Sequence, residues 1–237
     1  MDRKLDNNFW RNYFQVYDVL NGIQPYRQLL VDVCSCLNII PNETILDAGC
    51  GTGNLSIEMK KRGAKCIGID NNVAAIQIYN TKVGDQKGII GDLTKKLPFS
   101  NESFDKIVLN NVLYSVVIEK RGDILRELHR VLKSGGILVI SDPVDNFKKR
   151  RIYISALRYD LNKFGILGTF VKETKQLLSL LKFLYYNIVI DLFVKQNPHI
   201  NSHLDHVGLL KNYGFFPKFN MKSYAGQNII SRAIKTS

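Results

Sequence analysis

Ile45-Leu46-Asp47-Ala48-Gly49-Cys50-Gly51-Thr52-Gly53 runs a short apolar strand straight into three glycines at alternate positions. Such a run lets main chain pass close to a ligand where any Cβ would collide. A dinucleotide loop reads G-x-G-x-x-G and lays a pyrophosphate on the following helix. Here the pattern is G-x-G-x-G, with Asn54 where that third glycine would fall. No Gly-Lys-Ser/Thr follows, which excludes a P-loop. Asp47, inside the strand, would repel a pyrophosphate and suits a ligand that carries an ammonium group.

One strand-helix unit later, Cys66-Ile67-Gly68-Ile69-Asp70 ends in a carboxylate placed to accept both hydroxyls of a ribose. Gly91-Asp92-Leu93 then follows the apolar run Gly88-Ile89-Ile90 and precedes Leu97-Pro98-Phe99. Asp92 is placed there to accept from an adenine amino group. Adenosine joined to an amino acid describes S-adenosylmethionine.

On these motifs, with Ser103-Phe104-Asp105 and Leu128-His129-Arg130-Val131-Leu132-Lys133-Ser134-Gly135-Gly136, the chain resembles the class I S-adenosylmethionine-dependent methyltransferases. The resemblance is to their small-molecule branch, which includes quinone-biosynthesis methyltransferases. It is strong over 40–143 and weak at the C-terminal end. It implies that Asp47, Gly49 and Gly51 contact the methionine part of the cofactor, and that Asp70 holds the ribose. Asn71 would lie along the adenosine, Asp92 with Leu93 would hold the adenine, and the Asn110 carbonyl would face the ammonium group. The product would be S-adenosylhomocysteine. An N-terminal helical cap over the cofactor cleft is implied too, with Tyr13 and Tyr17 either as lid contacts or as aromatic packing on the sheet edge.

Periodicity predicts strands at 44–48, 65–69, 88–91, 105–110 and 136–141, with helices from about 53, from about 72 and over about 120–133. This alternation is an α/β pattern, a parallel sheet covered on both faces. Apolar residues at helical spacing before it predict two helices in the cap, 1–40, split by Asn21-Gly22 and Pro25. Gly135-Gly136 is expected to stop the helix and turn into the next strand, and His129 to be structural. After it, 204–213 reads as a helix, Gly214-Phe215-Phe216 as a strand start and 227–234 as the last strand. The resemblance implies a Rossmann-like, seven-stranded, mostly parallel sheet with an antiparallel last hairpin, in a single domain over 1–237.

The segment 146–198 breaks the alternation and is expected to be a helical insertion, interrupted at Gly165 and Gly168. Its run 177–190 is very apolar, yet Lys182 and Asp191 keep it under the length of a membrane span. It suits a lid over an apolar acceptor, a dimer-forming helix pair, or an interfacial membrane helix assisted by Lys148-Lys149-Arg150-Arg151.

The 237 residues are 45% hydrophobic, enough for one sizeable core, and their net charge is +12. Such a balance suits RNA phosphates or anionic lipid, although basic runs are commonly solvated faces. Cys34, Cys36, Cys50 and Cys66 form no C-x-x-C pair, so neither a metal site nor a disulfide framework is expected. The polar N-terminal stretch lacks the pattern of a secretory signal, and a cytoplasmic protein, with membrane association left open, is expected.

Methyl transfer to a small, apolar or aromatic acceptor, at O, C or N, is the function implied. No catalytic residue is assigned. His199, His203, His206 and Tyr114 are the candidates for a general base, should the acceptor arrive protonated. Asn110-Asn111-Val112-Leu113 lacks the Asn/Asp-Pro-Pro-aromatic motif of base-methylating members of the superfamily, which counts against a nucleic-acid substrate. RNA methylation and non-catalytic cofactor binding stay open as alternatives.

Overall fold

Strands β1 (Thr44–Ala48) and β4 (Phe104–Asn110) are the inner strands, because both of their faces are apolar. Leu46, Ala48, Ile107 and Leu109 enter one core cluster, while Ile45 and Val108, one residue out of phase, enter the other. A period of two with both phases buried is the mark of a strand covered on both sides. The structure, a computed structural model, describes residues 7–84, 87–195 and 205–236.

Among these residues, seven strands form one sheet in the order 3-2-1-4-5-7-6. The others are β2 (Lys65–Asp70), β3 (Gly88–Ile90), β5 (Leu132–Pro143), β6 (Phe215–Ser223) and β7 (Asn228–Lys235). β7 runs antiparallel to both neighbours, as expected of the last hairpin. The helices are α1 (Asn7–Tyr17), α2 (Gln24–Leu37), α3 (Asn54–Lys60), α4 (Val73–Val83), α5 (Ile118–Val131), α6 (Lys149–Lys195) and α7 (His206–Asn212). Short 3-10 turns lie at Asp18–Gly22 and Leu113–Ser115. Helices α5 and α7 pack on one face of the sheet, and α2 and α3 on the other.

Local chemistry sets the helix ends. Pro25 opens α2, and Asn38, left-handed at φ 50°, closes it. Asn72 caps α4 by accepting from the Ala74 and Ala75 amides at 3.0 and 3.1 Å, and Gly84 ends it at φ 88°. His129 lies in the last turn of α5 against Phe215, with ring centroids 5.3 Å apart, in the structural role expected of it. All four cysteines are free and buried, and burial pushes Cys34 up to about 12 and Cys36 up to about 11.

Two expectations are corrected. The helix does not stop at Gly135-Gly136: α5 ends at Val131, and Leu132 already pairs with Phe104 of β4. Leu132 is fully buried and its carbonyl accepts from Lys235 Nζ at 2.8 Å, so core packing holds it in the strand. The glycines lie in the irregular stretch between that pair and the pairing of Lys106 with Ile137. Within α6 the chain leaves helical geometry at Gly165 (φ 67°, ψ −177°), whereas Gly168 is helical. One residue in that conformation redirects the chain, and the helical ladder resumes beyond it. Among the described residues, no helix is long and apolar enough to cross a membrane.

Candidate active site at the sheet switch point

The strand order reverses between β1 and β4: the chain leaves β1 toward β2 and β3 on one side, then returns to β4 and β5 on the other. In open α/β sheets, ligands bind outside the carboxyl ends of the strands at such a reversal. Gly49 and Gly51 follow β1, Asp70 ends β2 and Asn71 follows it, Asp92 and Leu93 follow β3, and Asn110 ends β4. The fold therefore brings every expected cofactor residue to one edge of the sheet.

The loop is held through main chain. The Gly49 and Cys50 amides donate to the Ile69 carbonyl at 2.7 and 3.1 Å. Asp70 accepts from the Gly51 amide with one carboxylate oxygen and from the Asn72 amide with the other, both at 2.9 Å. Gly49 is left-handed at φ 79°, and a Cβ on it would stand 2.4 Å from Val112 Cγ2. Gly51, at φ 51°, faces open space, with no heavy atom within 4 Å of where its Cβ would be.

Asp47 lies beneath this loop, 2% exposed, and accepts from Ser56 Oγ at 2.7 Å. Ser56 Oγ in turn accepts from Tyr79 OH at 3.0 Å. Burial pushes the Asp47 carboxyl up to about 7, and the neighbouring Asp70 charge adds to the rise. Burial raises Asp70 as well, against the amide donors that lower it. Asp92 is exposed and accepts from the Thr94 amide and hydroxyl, while Leu93 is buried in the core. Among the described residues, buried Asn110 Oδ1 has no hydrogen-bond partner.

A cluster that sequence reading missed holds the N-terminal segment on the loop. Asp18 accepts from Thr52 Oγ1 at 3.0 Å and from Lys82 Nζ at 2.7 Å, and Lys82 also reaches Asn54 Oδ1. Asn21 Nδ2 donates to Asn54 Oδ1 at 2.9 Å, and Asn54 Nδ2 donates to Tyr26 OH at 3.3 Å. Tyr17 hydrogen-bonds Tyr26, and Asp70 is close enough to raise its pKa further beyond the effect of burial. Tyr13 instead stacks on Phe183 of α6, with centroids 6.0 Å apart, so it packs against the insertion and not against the sheet edge.

Tyr224, in the β6–β7 turn at φ 54°, joins this aromatic group through Tyr26 at 6.2 Å and Phe147 at 6.4 Å. Burial raises Tyr17, Tyr26 and Tyr224, so all three are neutral phenols near pH 7. The signal for Tyr224 was the polar turn after a strand. Nothing local tied that turn to residues two hundred positions earlier.

Of the general-base candidates, His199 and His203 lie outside the described residues. His206 is 5% exposed and wedged inside: Nδ1 is 2.7 Å from Ser231 Oγ, and Nε2 is 3.3 Å from Asp142 Oδ2. With both ring nitrogens engaged there, it braces β5 and β7 rather than facing the loop. Tyr114, partly exposed after β4, gives its amide to Asp142 at 3.3 Å and stands close enough to Tyr224 to raise its pKa slightly.

Residues 46–140 match a family profile described as a methyltransferase domain. A demethylmenaquinone methyltransferase of Mycobacterium sp. is 33% identical over 111 residues, 47% of this chain and 46% of that protein. A ubiquinone/menaquinone biosynthesis C-methyltransferase of Citrobacter koseri is 28% identical over 169 residues, 64% of this chain and 62% of that protein. The chain thus spans about half to two thirds of the length of these relatives. Among solved structures, a TehB-like S-adenosylmethionine-dependent methyltransferase of Corynebacterium glutamicum superposes with a TM-score of 0.63 at 17% identity, covering 98% of this chain and 100% of that one. That likeness concerns the fold, and it agrees with the strand order above. The segment that carries the glycine loop, Asp70, Asp92 and Asn110 is thus similar to a methyltransferase domain over less than half of the chain.

Proposed function

We propose that this protein methylates a small apolar or aromatic acceptor with S-adenosylmethionine as donor and S-adenosylhomocysteine as product. The observation that carries the reading is the gathering of the glycine loop, Asp47, Asp70 and Asn110 at the switch point of the sheet. The residues fit that cofactor. Gly51 leaves open the space a side chain would fill, and buried Asn110 Oδ1 is an acceptor with no partner among the described residues. Two buried carboxylates suit a cationic ligand.

In this reading Asp70 accepts from the ribose hydroxyls, Asn71 lies along the adenosine and Asp92 with Leu93 holds the adenine. Asp47, Gly49, Gly51 and Asn110 serve the methionine part, Asp47 through its field beneath the loop. When bound, the cofactor supplies a methyl group on a positively charged sulfur, already a good leaving group. The chain's own work is alignment and exclusion of water, which turns an encounter in solution into a near-attack geometry. The cap, 1–40, and the insertion, 146–198, are the parts that roof the cleft in this reading. Tyr17, Tyr114, Tyr224 and Phe147 give the acceptor side aromatic walls. Tyr17 and Tyr224, neutral phenols near pH 7, are donors for an acceptor's oxygen rather than bases, while Tyr26 is committed to Tyr17 and Asn54. Both curated relatives are named for quinone pathways, which places a quinol-type ring first among acceptors to try.

Incubation with methyl-labelled S-adenosylmethionine and cell extract, followed by partition, tests the acceptor class. Label in the organic phase is expected. Label in RNA overturns the acceptor class, and normal cofactor binding without any transfer favours a non-catalytic binding protein.

A second expectation concerns pH. A cation beside Asp47 favours its ionised form, so cofactor affinity rises with pH by up to about tenfold per unit below about 7 and levels off above. The unliganded fold responds with the opposite sign. A carboxyl raised from 3.8 to about 7 on folding stabilises fully below its unfolded value and loses that contribution as pH rises through about 7. Calorimetric titrations across this window should show the slope, and Asp47→Asn should flatten it. A wild-type affinity that does not change with pH would remove Asp47 from the cation's surroundings.

A further inference from the structure

The second arm of α6, beyond Gly165, carries an apolar face that nothing among the described residues covers. Its inner side packs Phe183 and Tyr186 against α1, with Tyr13 and Phe183 stacked and Phe9 edge-on to Tyr186. Its outer side exposes Ile166, Phe170, Leu177, Leu181, Leu184 and Ile188, with Ile166 83% and Phe170 66% exposed. These positions recur at helical spacing within an arc of roughly 60°, and exposed Leu167, Val171, Leu178 and Tyr185 widen it to roughly 140° at about 100° per residue. The stripe runs for about 33 Å, a contiguous exposed apolar surface of the kind that marks an interaction site. Thr174, the polar residue inside it, turns its hydroxyl back to the Phe170 and Val171 carbonyls, both at 3.0 Å, and so does not interrupt it.

Charge says what covers the stripe. Lys175 and Lys182 are exposed along one border of the stripe, Lys163 is exposed before the kink, and the first arm begins at Lys149-Arg150-Arg151. Across α6 there are nine basic and three acidic residues, half of the chain's net charge of +12. Buried Asp160 of the first arm pairs with Lys172 of the second, which holds the hairpin as one body and takes an inward lysine out of the count. We infer that this face docks in the plane of an anionic lipid bilayer, its apolar stripe among the acyl chains and its lysines at the headgroups. An amphipathic helix of this kind lies in the interface, and basic side chains beside it are each worth a further increment on an anionic leaflet. A second copy of the chain would bring like charges together along the same borders, which disfavours it as the occupant. The inference goes beyond the methyl-transfer reading and holds whichever acceptor is used.

Flotation of the full chain with vesicles tests it, using phosphatidylcholine alone and phosphatidylcholine mixed with phosphatidylglycerol. The wild type is expected to float with the mixed vesicles and to stay behind with the neutral ones. A strongly basic protein could bind such vesicles by charge alone, so the deciding variant is Ile166→Ser with Phe170→Ser, which leaves the charge unchanged. Both side chains are exposed, and an unchanged melting curve confirms the fold. At least tenfold weaker flotation is expected of it. Flotation equal to wild type would overturn the inference, as would a wild type that ignores anionic vesicles. A dimer in sedimentation velocity that the double variant dissolves would overturn it in favour of a second copy.

Discussion

Asp70→Ala weakens S-adenosylmethionine binding by about 1.5–3 kcal/mol, roughly 10- to 150-fold, the scale for hydrogen bonds to a charged acceptor. The carboxylate has two duties. One oxygen accepts from the Gly51 amide and the other from the Asn72 amide, both at 2.9 Å, so it shapes the glycine loop. Its remaining lone pairs are those proposed to hold the ribose. Alanine removes the ribose acceptor and at the same time strands two amides. Calorimetry with a melting curve on the same variant separates the duties. A lower melting temperature with unchanged affinity would leave Asp70 a loop brace and end the ribose assignment.

Gly53→Ala is expected to destabilise the fold strongly, whereas Gly51→Ala costs only the backbone strain of about 1–2 kcal/mol. Gly53 is left-handed at φ 82°, and a Cβ on it would stand 2.6 Å from Val83 Cγ2 and 2.7 Å from the Tyr79 ring. Left-handed geometry costs about 1–2 kcal/mol for a residue with a Cβ, and overpacking adds about 1–3 kcal/mol. The total, about 2–5 kcal/mol, lowers Tm by roughly 5–15 °C for a chain of this size. Tyr79 has no room to yield. It is fully buried, its hydroxyl donates to Ser56, and Gly68 of β2 already lacks a Cβ where the ring packs. Gly51→Ala carries only the backbone term, because nothing lies within 4 Å of its Cβ. Its larger effect should appear in cofactor affinity. Equal melting temperatures for the two variants would show that the loop relaxes around Tyr79.

The legible parts of this protein were those whose cause is local. The strand run ending at Asp47-Ala48, the glycines after it and the carboxylate that ends β2 each carry their signal within a few residues. Element boundaries from β1 to the last hairpin fall within about two residues of expectation wherever a cap or turn residue marks them. The exceptions show the limit of local reading. Gly135-Gly136 has the chemistry of a helix stop, yet Leu132 had entered the strand earlier, because its side chain is buried in the core and its carbonyl meets Lys235. Gly165 and Gly168 are the same residue three positions apart, yet only Gly165 leaves helical geometry.

The sequence by itself determined the strand–helix alternation, the glycine loop with the carboxylate that ends β2, and the excess of positive charge, since periodicity, turn chemistry and ionisation are properties of neighbouring residues. Only the tertiary structure decided that Asp18 and Lys82 latch the N-terminal segment onto the glycine loop, 34 and 30 residues from Thr52. The same holds for Tyr224 beside Tyr26, for His206 held between Asp142 and Ser231, and for which side of α6 meets α1 and which is left bare. Those meetings depend on how distant elements pack on the two faces of one sheet, and a side chain's partner across that distance leaves no trace in its own neighbourhood.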